Sequence, residues 1–275
     1  MSRPDKYKVF FLVGIVLFLF IPVFQNVFHY KWIKPLKGAY VEAKDTVLTA
    51  ENWFSGKFQL KKDAYLDQNF GLRNYYVRLN NEIDFRLFQK ANVAKVVVGK
   101  GNFLYEDDYI NAYYGNNFIG KEALQERFKK LKAVQELLKS KGITLVVVFA
   151  PGKGYFYPEF IPNSWKTEKK LSNYEFAKNL SDNFGLNYID VNAWFRREKD
   201  ISPYDLYPKT GIHWSNYGAL LFTDSLRKHL ESRDKINLRE FVIDNVSFSD
   251  SLIEPDDDIG SAMNLLWDIK KLPMP

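Results

Sequence analysis

The sequence predicts an α/β fold: an open, mostly parallel sheet with helices on both faces, preceded by a single N-terminal transmembrane helix. Three observations carry this expectation. Residues 9–28 are uncharged and almost wholly apolar. Ile143 to Phe149 and Asn187 to Val191 read as strands, the first a continuous β-branched run of the kind buried on both faces. Helix-spaced stretches alternate with them, and helix–strand–helix–strand–helix at these lengths calls for parallel strands joined by right-handed crossovers. A chain of 275 residues has room for an appendage and one large domain, read as an anchor (1–30), a helical juxtamembrane connector (31–92) and an α/β domain (93–275).

The apolar run of about 20 residues is long enough to cross a bilayer. No small-x-small cleavage pattern follows it, so it reads as an uncleaved signal anchor. Basic residues flank both sides (Arg3, Lys6, Lys8; Lys31, Lys34, Lys37), so charge does not orient it. A short start before a large body favours an N-in arrangement, with the body outside the cytoplasm.

Through the connector, Leu72, Tyr76, Leu79, Ile83 and Leu87 recur at amphipathic-helix spacing. Lys95-Val-Val-Val98 and Phe103-Leu-Tyr105, joined by Gly99-Lys-Gly-Asn102, predict two extended runs in a hairpin-like arrangement. Leu124, Phe128, Leu131 and Leu138 mark a helix over about 121–139, with Gly142 just past its end. Ser172-x-x-Glu175 is a capping box opening a helix that stops at Gly185. Ser215 reads as the N-cap of a last helix running to about Glu231.

Composition narrows the function. The chain is 46% hydrophobic and 26% charged, which is globular, and its 17% aromatic share is read as core. The net charge of +6 comes from lysines interleaved with carboxylates, a solvated surface that gives little support to nucleic-acid binding. With no cysteine and no His-x-x-His or carboxylate–His spacing, neither a metal site nor an organic cofactor is expected. Of the three histidines, His29 leaves the apolar run and His229 suits a helix C-terminus. His213 alone stands on a loop, punctuated by Pro208 and Gly211, just before a helix N-terminus. There the positive helix end favours the uncharged imidazole that a general base requires.

In open parallel sheets ligands sit beyond the carboxyl ends of the strands. The loops after Phe149 and Val191 both leave such ends, so Gly152-Lys153-Gly154 and His213 are expected on one rim. Lys153 is not part of a phosphate loop, because Gly154 follows it where that motif continues Ser/Thr. Its alternatives are a cation for an oxyanion or sugar acid, with the glycines admitting a ligand, and a solvated turn. Asp190 and Asp205 are candidates to orient the imidazole, and Asp190 equally to cap a turn. Ser202 and Ser215 are the nearby serines, and no Gly-Asp-Ser or Gly-x-Ser-x-Gly motif occurs.

Thr210-Gly-Ile-His213-Trp214-Ser-Asn-Tyr-Gly-Ala219 resembles the Asp-x-His-Trp…Gly-Ala block of the SGNH-hydrolase-like alginate O-acetyltransferase family (AlgX/AlgJ-like). Val98-Gly-Lys-Gly-Asn-Phe-Leu-Tyr105, Ala150-Pro-Gly-Lys-Gly-Tyr-Phe-Tyr157-Pro-Glu159 and the anchor extend the similarity. The resemblance implies an SGNH-like domain on a single-pass inner-membrane anchor, facing the periplasm and moving acetyl groups onto an exopolysaccharide. It implies His213 as the base, with Gly152, Lys153, Tyr157 and Trp214 near substrate. It also implies a polysaccharide partner and an acetyl donor as co-substrate, handed over by a membrane-bound protein. In that family an aspartate two residues before the histidine steadies it, and here that slot holds Gly211. The family serine lies in a downstream Gly-Asp-Ser, which residues 1–275 lack, so the chain is expected to be C-terminally incomplete. The alternatives are a glycan-binding or scaffold relative without catalysis, and an acetyl esterase.

Overall fold

The computed structural model describes residues 3–28, 34–38, 41–234, 236–242, 245–252, 256–271 and 273–274; His29 and Lys31 lie outside them. The chain divides into two units, 1–87 with 264–267, and 88–263 with 268–275.

In the first unit, α1 (Arg3–Val27) contains the apolar run. Its segment Lys6–Gln25 has a mean hydropathy of 2.4 and is long and apolar enough to cross a membrane, by length and composition. Two helices follow, α2 (Ala50–Phe54), capped by the Thr49 side chain, and α3 (Lys57–Gln68). The predicted amphipathic helix is α4 (Arg73–Phe88), but its buried positions are Glu82 and Phe85. Ile83 and Leu87, on the expected apolar face, are 44% and 71% exposed. The reason lies in the 264–267 segment. Glu82 accepts from the amides of Leu266 (3.1 Å) and Trp267 (3.3 Å), and Arg78 donates to the Leu265 carbonyl (3.0 Å). Hydrogen-bonding demand of that backbone, rather than apolar spacing, selects the buried face.

The second unit begins with an antiparallel hairpin, β1 (Val96–Val98) on β2 (Leu104–Glu106), in the register Val97↔Tyr105. Gly101 and Asn102 turn the chain at φ 63° and 64°, conformations that glycine and asparagine tolerate best. The short helix α5 (Asp107–Tyr114) leads to α6 (Lys121–Ser140), which packs Leu124 and Phe128 against Ala177 and Leu180 of α8 (Asn173–Phe184). The Ser172–Glu175 capping box is formed in both directions, and α8 ends on Gly185 in the left-handed conformation. Between these helices runs β3 (Val147–Phe149), paired parallel with β4 (Tyr188–Asp190).

The fold is therefore α/β, with less sheet than expected. Among the described residues the parallel sheet has these two strands only. Only the last part of the 143–149 run pairs, and Ile143 and Val148 are exposed. Successive strand residues face opposite ways, so Val148 lies on a face that the described residues leave partly open. Four helices were not expected: α5, α7 (Lys153–Phe156), α9 (Val191–Glu198), which Asp190 caps by accepting from the Ala193 amide, and a short one over 258–262. The predicted last helix is α10 (Asn216–Asp234), followed by α11 (Asp258–Ala262).

The main core is tyrosine-rich, joining β1, β2, α5, α7 and α9 through Tyr105, Tyr157, Phe195 and Tyr207. Three of its hydroxyls are spent on carbonyls. Tyr105 donates to Tyr157 (2.6 Å), Tyr157 to Tyr207 (3.3 Å) and Tyr207 to Pro151 (3.1 Å). This chain of bonds ties the loop after β3 to the start of the His213 loop and satisfies these three hydroxyls.

Candidate active site

The 206–215 loop is held from several sides. Ser215 is fully buried and caps α10, its Oγ accepting from the Gly218 amide (2.9 Å) while its own amide donates to Leu206 (2.9 Å). Gly218 permits this, since a Cβ there would meet the Leu206 carbonyl and the Phe195 ring at 3.0 Å. The amide of Leu104, on β2, donates to the Lys209 carbonyl (3.0 Å).

Lys153 supplies the innermost support. It has no exposed surface, and its Nζ donates to the carbonyls of Pro208 (2.8 Å), Lys209 (2.9 Å) and Gly211 (2.6 Å). Burial pushes the ammonium well below its ordinary value, and the charge of Asp258 opposes that push. Three carbonyl acceptors need three N–H bonds, which only the protonated amine supplies. The structure thus brings Lys153 and the His213 loop together, but with every Lys153 donor committed to the loop and none left for a ligand. The flanking glycines also serve the fold. A Cβ on Gly154 would stand 2.3 Å from the Tyr109 carbonyl oxygen, so the close approach is to main chain. Tyr157 is likewise buried, its hydroxyl bonded to Tyr207. Trp214 is half-buried against Phe195 and Phe222, and Gly152 lies beside the Tyr109 ring.

The imidazole has an orienting carboxylate, and it is one that the local pattern does not reveal. His213 Nδ1 lies 2.8 Å from Asp258 Oδ2. Oδ1 of the same carboxylate accepts from the amides of Ile212 (2.8 Å) and Ile259 (2.7 Å), which fixes its plane and turns Oδ2 to the ring. A carboxylate accepts only, so in the neutral ring Nδ1 is the donor and Nε2 the acceptor. The His213 side chain is 60% exposed, and no described residue bonds Nε2. A base with one nitrogen anchored and the other open is what proton abstraction from a hydroxyl needs.

Asp258 belongs to an acidic triplet whose members take separate tasks. Asp256 is buried at the start of α10, accepting from the amide and side chain of Asn216 (both 3.1 Å). Burial pushes its carboxyl up, while the Asn216 bonds hold it down. Asp257 pairs with Lys271 and accepts from Ser261 (3.0 Å). Gly260 donates its amide to the Thr210 carbonyl (2.9 Å) and closes the segment onto the loop. The three acids address three different partners rather than a common centre. Asp258 is also felt by its neighbours: burial first, then its charge among others, raises Tyr109 and Tyr207 above the ordinary tyrosine value.

Of the sequence-level candidates to orient His213, Asp190 caps α9 and accepts from the Tyr174 hydroxyl (2.9 Å), and Asp205 lies in a cavity wall, where burial pushes its carboxyl up. Ser202 bonds the Tyr204 carbonyl (2.7 Å). The signal that would have found Asp258 was three consecutive acids in a chain of net charge +6, although nothing in their spacing points 45 residues back.

Comparison with known proteins identifies the family of the chain. The profile described as SGNH hydrolase-like domain, acetyltransferase AlgX, matches residues 96–248. The chain is 25% identical over 165 residues to "Probable alginate O-acetylase AlgJ" of Pseudomonas aeruginosa, covering 60% of this chain and 40% of that one. It is 24% identical over 196 residues to the protein of the same name from Pseudomonas fluorescens, covering 66% and 45%. It thus spans less than half the length of these curated relatives. Among solved structures, the O-acetyltransferase domain of Pseudomonas putida AlgJ is 20% identical with a TM-score of 0.43, covering 52% of this chain and 50% of that one. Pseudomonas aeruginosa AlgX is 24% identical with a TM-score of 0.35, covering 50% and 32%. Matched by the profile over more than half of its length, the chain belongs to the SGNH hydrolase-like domain family of acetyltransferase AlgX.

Proposed function

We propose that this chain is a membrane-anchored O-acetyltransferase acting on a polysaccharide, with His213 as general base and Asp258 as its orienting carboxylate. The observation that carries the reading is the 2.8 Å contact between Nδ1 and Asp258 beside an open Nε2. Nε2 takes the proton of an attacking hydroxyl, whose oxygen adds to the acetyl carbonyl. As the tetrahedral intermediate collapses, the imidazolium returns that proton to the departing alcohol, and Asp258 stabilises the positive ring between the two steps. The hydroxyl is either a serine of the kind the family pattern implies or the acceptor sugar's own, and His213 serves both alike. The acetyl donor is a co-substrate, handed over by a membrane-bound partner, and no metal or organic cofactor takes part. Lys153 and Tyr157 set the loop in place, while Gly152 and Trp214 face substrate. The segment 6–25 anchors the chain in the inner membrane with its body in the periplasm. The likeness to proteins named as alginate O-acetylases supports both the transfer and the polysaccharide acceptor.

The test is acetyl transfer from a chromogenic acetyl ester to polysaccharide by the full chain in nanodiscs. His213→Ala should abolish transfer. A variant as fast as wild type removes His213 from the mechanism, and glycan binding without transfer by the wild type identifies a non-catalytic relative.

A further inference from the structure

The apolar spacing of α4 forms a stripe that the fold leaves open. Leu72, at the entry to the helix, and Tyr76, Leu79, Ile83 and Leu87 fall on one side of it. The stripe is about 22 Å long at 1.5 Å of rise per residue. Tyr76, Ile83 and Leu87 are exposed, and Leu72 and Leu79 are half-buried. The other side of the helix is occupied, since Arg78 and Glu82 bind the 264–267 backbone.

The entry to α4 points to what covers the stripe. The Leu72 amide donates to the side-chain oxygen of Gln25 (2.9 Å), the last residue of the apolar span 6–25. Gly71 packs so closely on α1 that a Cβ there would overlap the Pro22 carbonyl, and Pro22 is buried on a helix whose neighbouring residues are exposed. Leu72 itself adopts φ 62°, a left-handed conformation that leucine takes up only where its surroundings impose it. With 6–25 across a bilayer, this turn is held where hydrocarbon gives way to water. Aromatic side chains gather at the same place. The Phe70 and Tyr76 rings stack at 6.5 Å, and Tyr75 meets Tyr76 edge-on at 6.0 Å. Amphipathic rings of this kind prefer the level of the headgroups. The arginines of α4 are spent within the chain: Arg86 on Glu82 (2.7 Å), Arg78 on the Leu265 and Pro35 carbonyls, and Arg73 toward Asp67 (3.6 Å). The helix therefore offers a bilayer apolar contact rather than charge.

We propose that α4 lies in the plane of the membrane interface, its stripe against the acyl boundary of the leaflet from which α1 emerges and its aromatic cluster among the headgroups. An upright helix would lift Leu87 about 22 Å above Leu72 and leave Ile83 and Leu87 in water. Only the flat orientation covers the whole stripe. The connector is then a second membrane contact, fixed to the anchor at Gln25. This inference rests on the reading of 6–25 as an anchor and is independent of the acetyl-transfer chemistry.

The chain has no cysteine, so one introduced cysteine carries a nitroxide label at a single place. In phosphatidylcholine nanodiscs, collisions of the label with oxygen, which partitions into lipid, are compared with those of a water-confined nickel chelate. Labels on Ile83→Cys and Leu87→Cys should lie about 5–10 Å below the headgroups, and a label on Lys139→Cys, on α6, should report water. Added salt or anionic lipid should leave those depths unchanged, because the contact is apolar. In a chain carrying Ile83→Gln and Leu87→Gln, a label on Leu79→Cys should move toward water. Labels at 83 and 87 that report water, that are shielded from both reagents by a second copy, or that reach lipid only when the lipid is anionic each overturn the proposal, as does an unmoved Leu79 label. A label on Leu17→Cys separates the two readings. If it lies in lipid while those at 83 and 87 do not, this inference alone fails; if it reports water, the anchor fails and this inference with it.

Discussion

Replacing Lys153 with methionine tests whether the His213 loop is built on a buried cation. The substitution keeps most of the aliphatic volume and deletes three N–H donors. Among the described residues the Pro208 and Gly211 carbonyls then lose the only donor they have, whereas the Lys209 carbonyl keeps the Leu104 amide. Each orphaned buried carbonyl costs roughly 1–3 kcal/mol. Relief from burying an ammonium offsets part of that sum, since desolvating an ion costs several kcal/mol. The net expectation is a loss of about 2–4 kcal/mol, which for a domain of this size lowers the melting temperature by roughly 5–15 °C. Thermal and urea unfolding of the full chain in detergent, followed by circular dichroism, reads this directly. A second readout is the imidazole ¹⁵N spectrum, where the single-tautomer signature of an anchored Nδ1–H should blur as the loop loosens. A variant within about 0.5 kcal/mol of wild type, with its tautomer intact, would refute the argument and return Lys153 to the role of a ligand-facing cation.

Three further outcomes follow from the same structure. Asp258→Asn keeps a polar partner for Nδ1 but removes the charge that stabilises the imidazolium; steady-state acetyl transfer should fall roughly 10- to 100-fold in kcat with little change in KM, and an unchanged kcat would exclude Asp258 from the chemistry. Gly154→Ala forces a Cβ to within 2.3 Å of the Tyr109 carbonyl, so the backbone must move, and chemical denaturation should show a loss of about 1–3 kcal/mol; a neutral result would mean the α5–α7 contact is loose. The buried tyrosines predict an alkaline limit. Burial raises Tyr155 to about 12 and moves Tyr105 and Tyr157 in the same direction from an ordinary value of 10.0. The folded state therefore holds these protons more tightly than the unfolded chain. Their contribution is complete below pH 10 and is lost as the pH rises from 10 through about 12. Lys153, pushed below 10.5, works in the opposite sense up to that pH, so unfolding is best followed from 10.5 upward. Stability that stays level across this range would contradict the tyrosine burial.

How much of this is legible without coordinates depends on how far apart the interacting groups lie in the chain. The Ser172–Glu175 box, Gly185 as a stop, Ser215 as a cap and the Leu124–Phe128 face are decided within one or two helical turns, and the structure contains each. The hairpin at 96–106 is equally local. The α4 face was misassigned because backbone amides some 180 residues away choose Glu82 over the apolar stripe. The 143–149 run looks doubly buried because β-branched residues report strand preference, not the number of layers that cover the strand. Lys153 and Gly154 attract a ligand reading since a glycine-flanked lysine is usually exposed; what distinguishes them is the Tyr109 main chain and three carbonyls more than 50 residues on.

The same logic applies to the base. An imidazole used in acyl transfer needs a carboxylate at Nδ1 in space, and the position of that carboxylate in the chain is free so long as the backbone delivers it. Here the slot two residues before His213 is Gly211, whose carbonyl is one of the three that Lys153 binds. The carboxylate arrives instead from Asp258, on a segment that also docks through Asp256 on α10 and through Gly260 on Thr210. Orientation of the base thus depends on a tertiary contact formed at several points, not on a local turn. Loosening any one anchor, even one remote from the ring, should lower activity through His213 geometry before it unfolds the domain. Asp256→Asn, which keeps the acceptor oxygen for the Asn216 amide but weakens it, should therefore reduce kcat with little change in the unfolding midpoint. Equal loss of stability and activity would mean the segment is part of the core rather than an arm that positions the base.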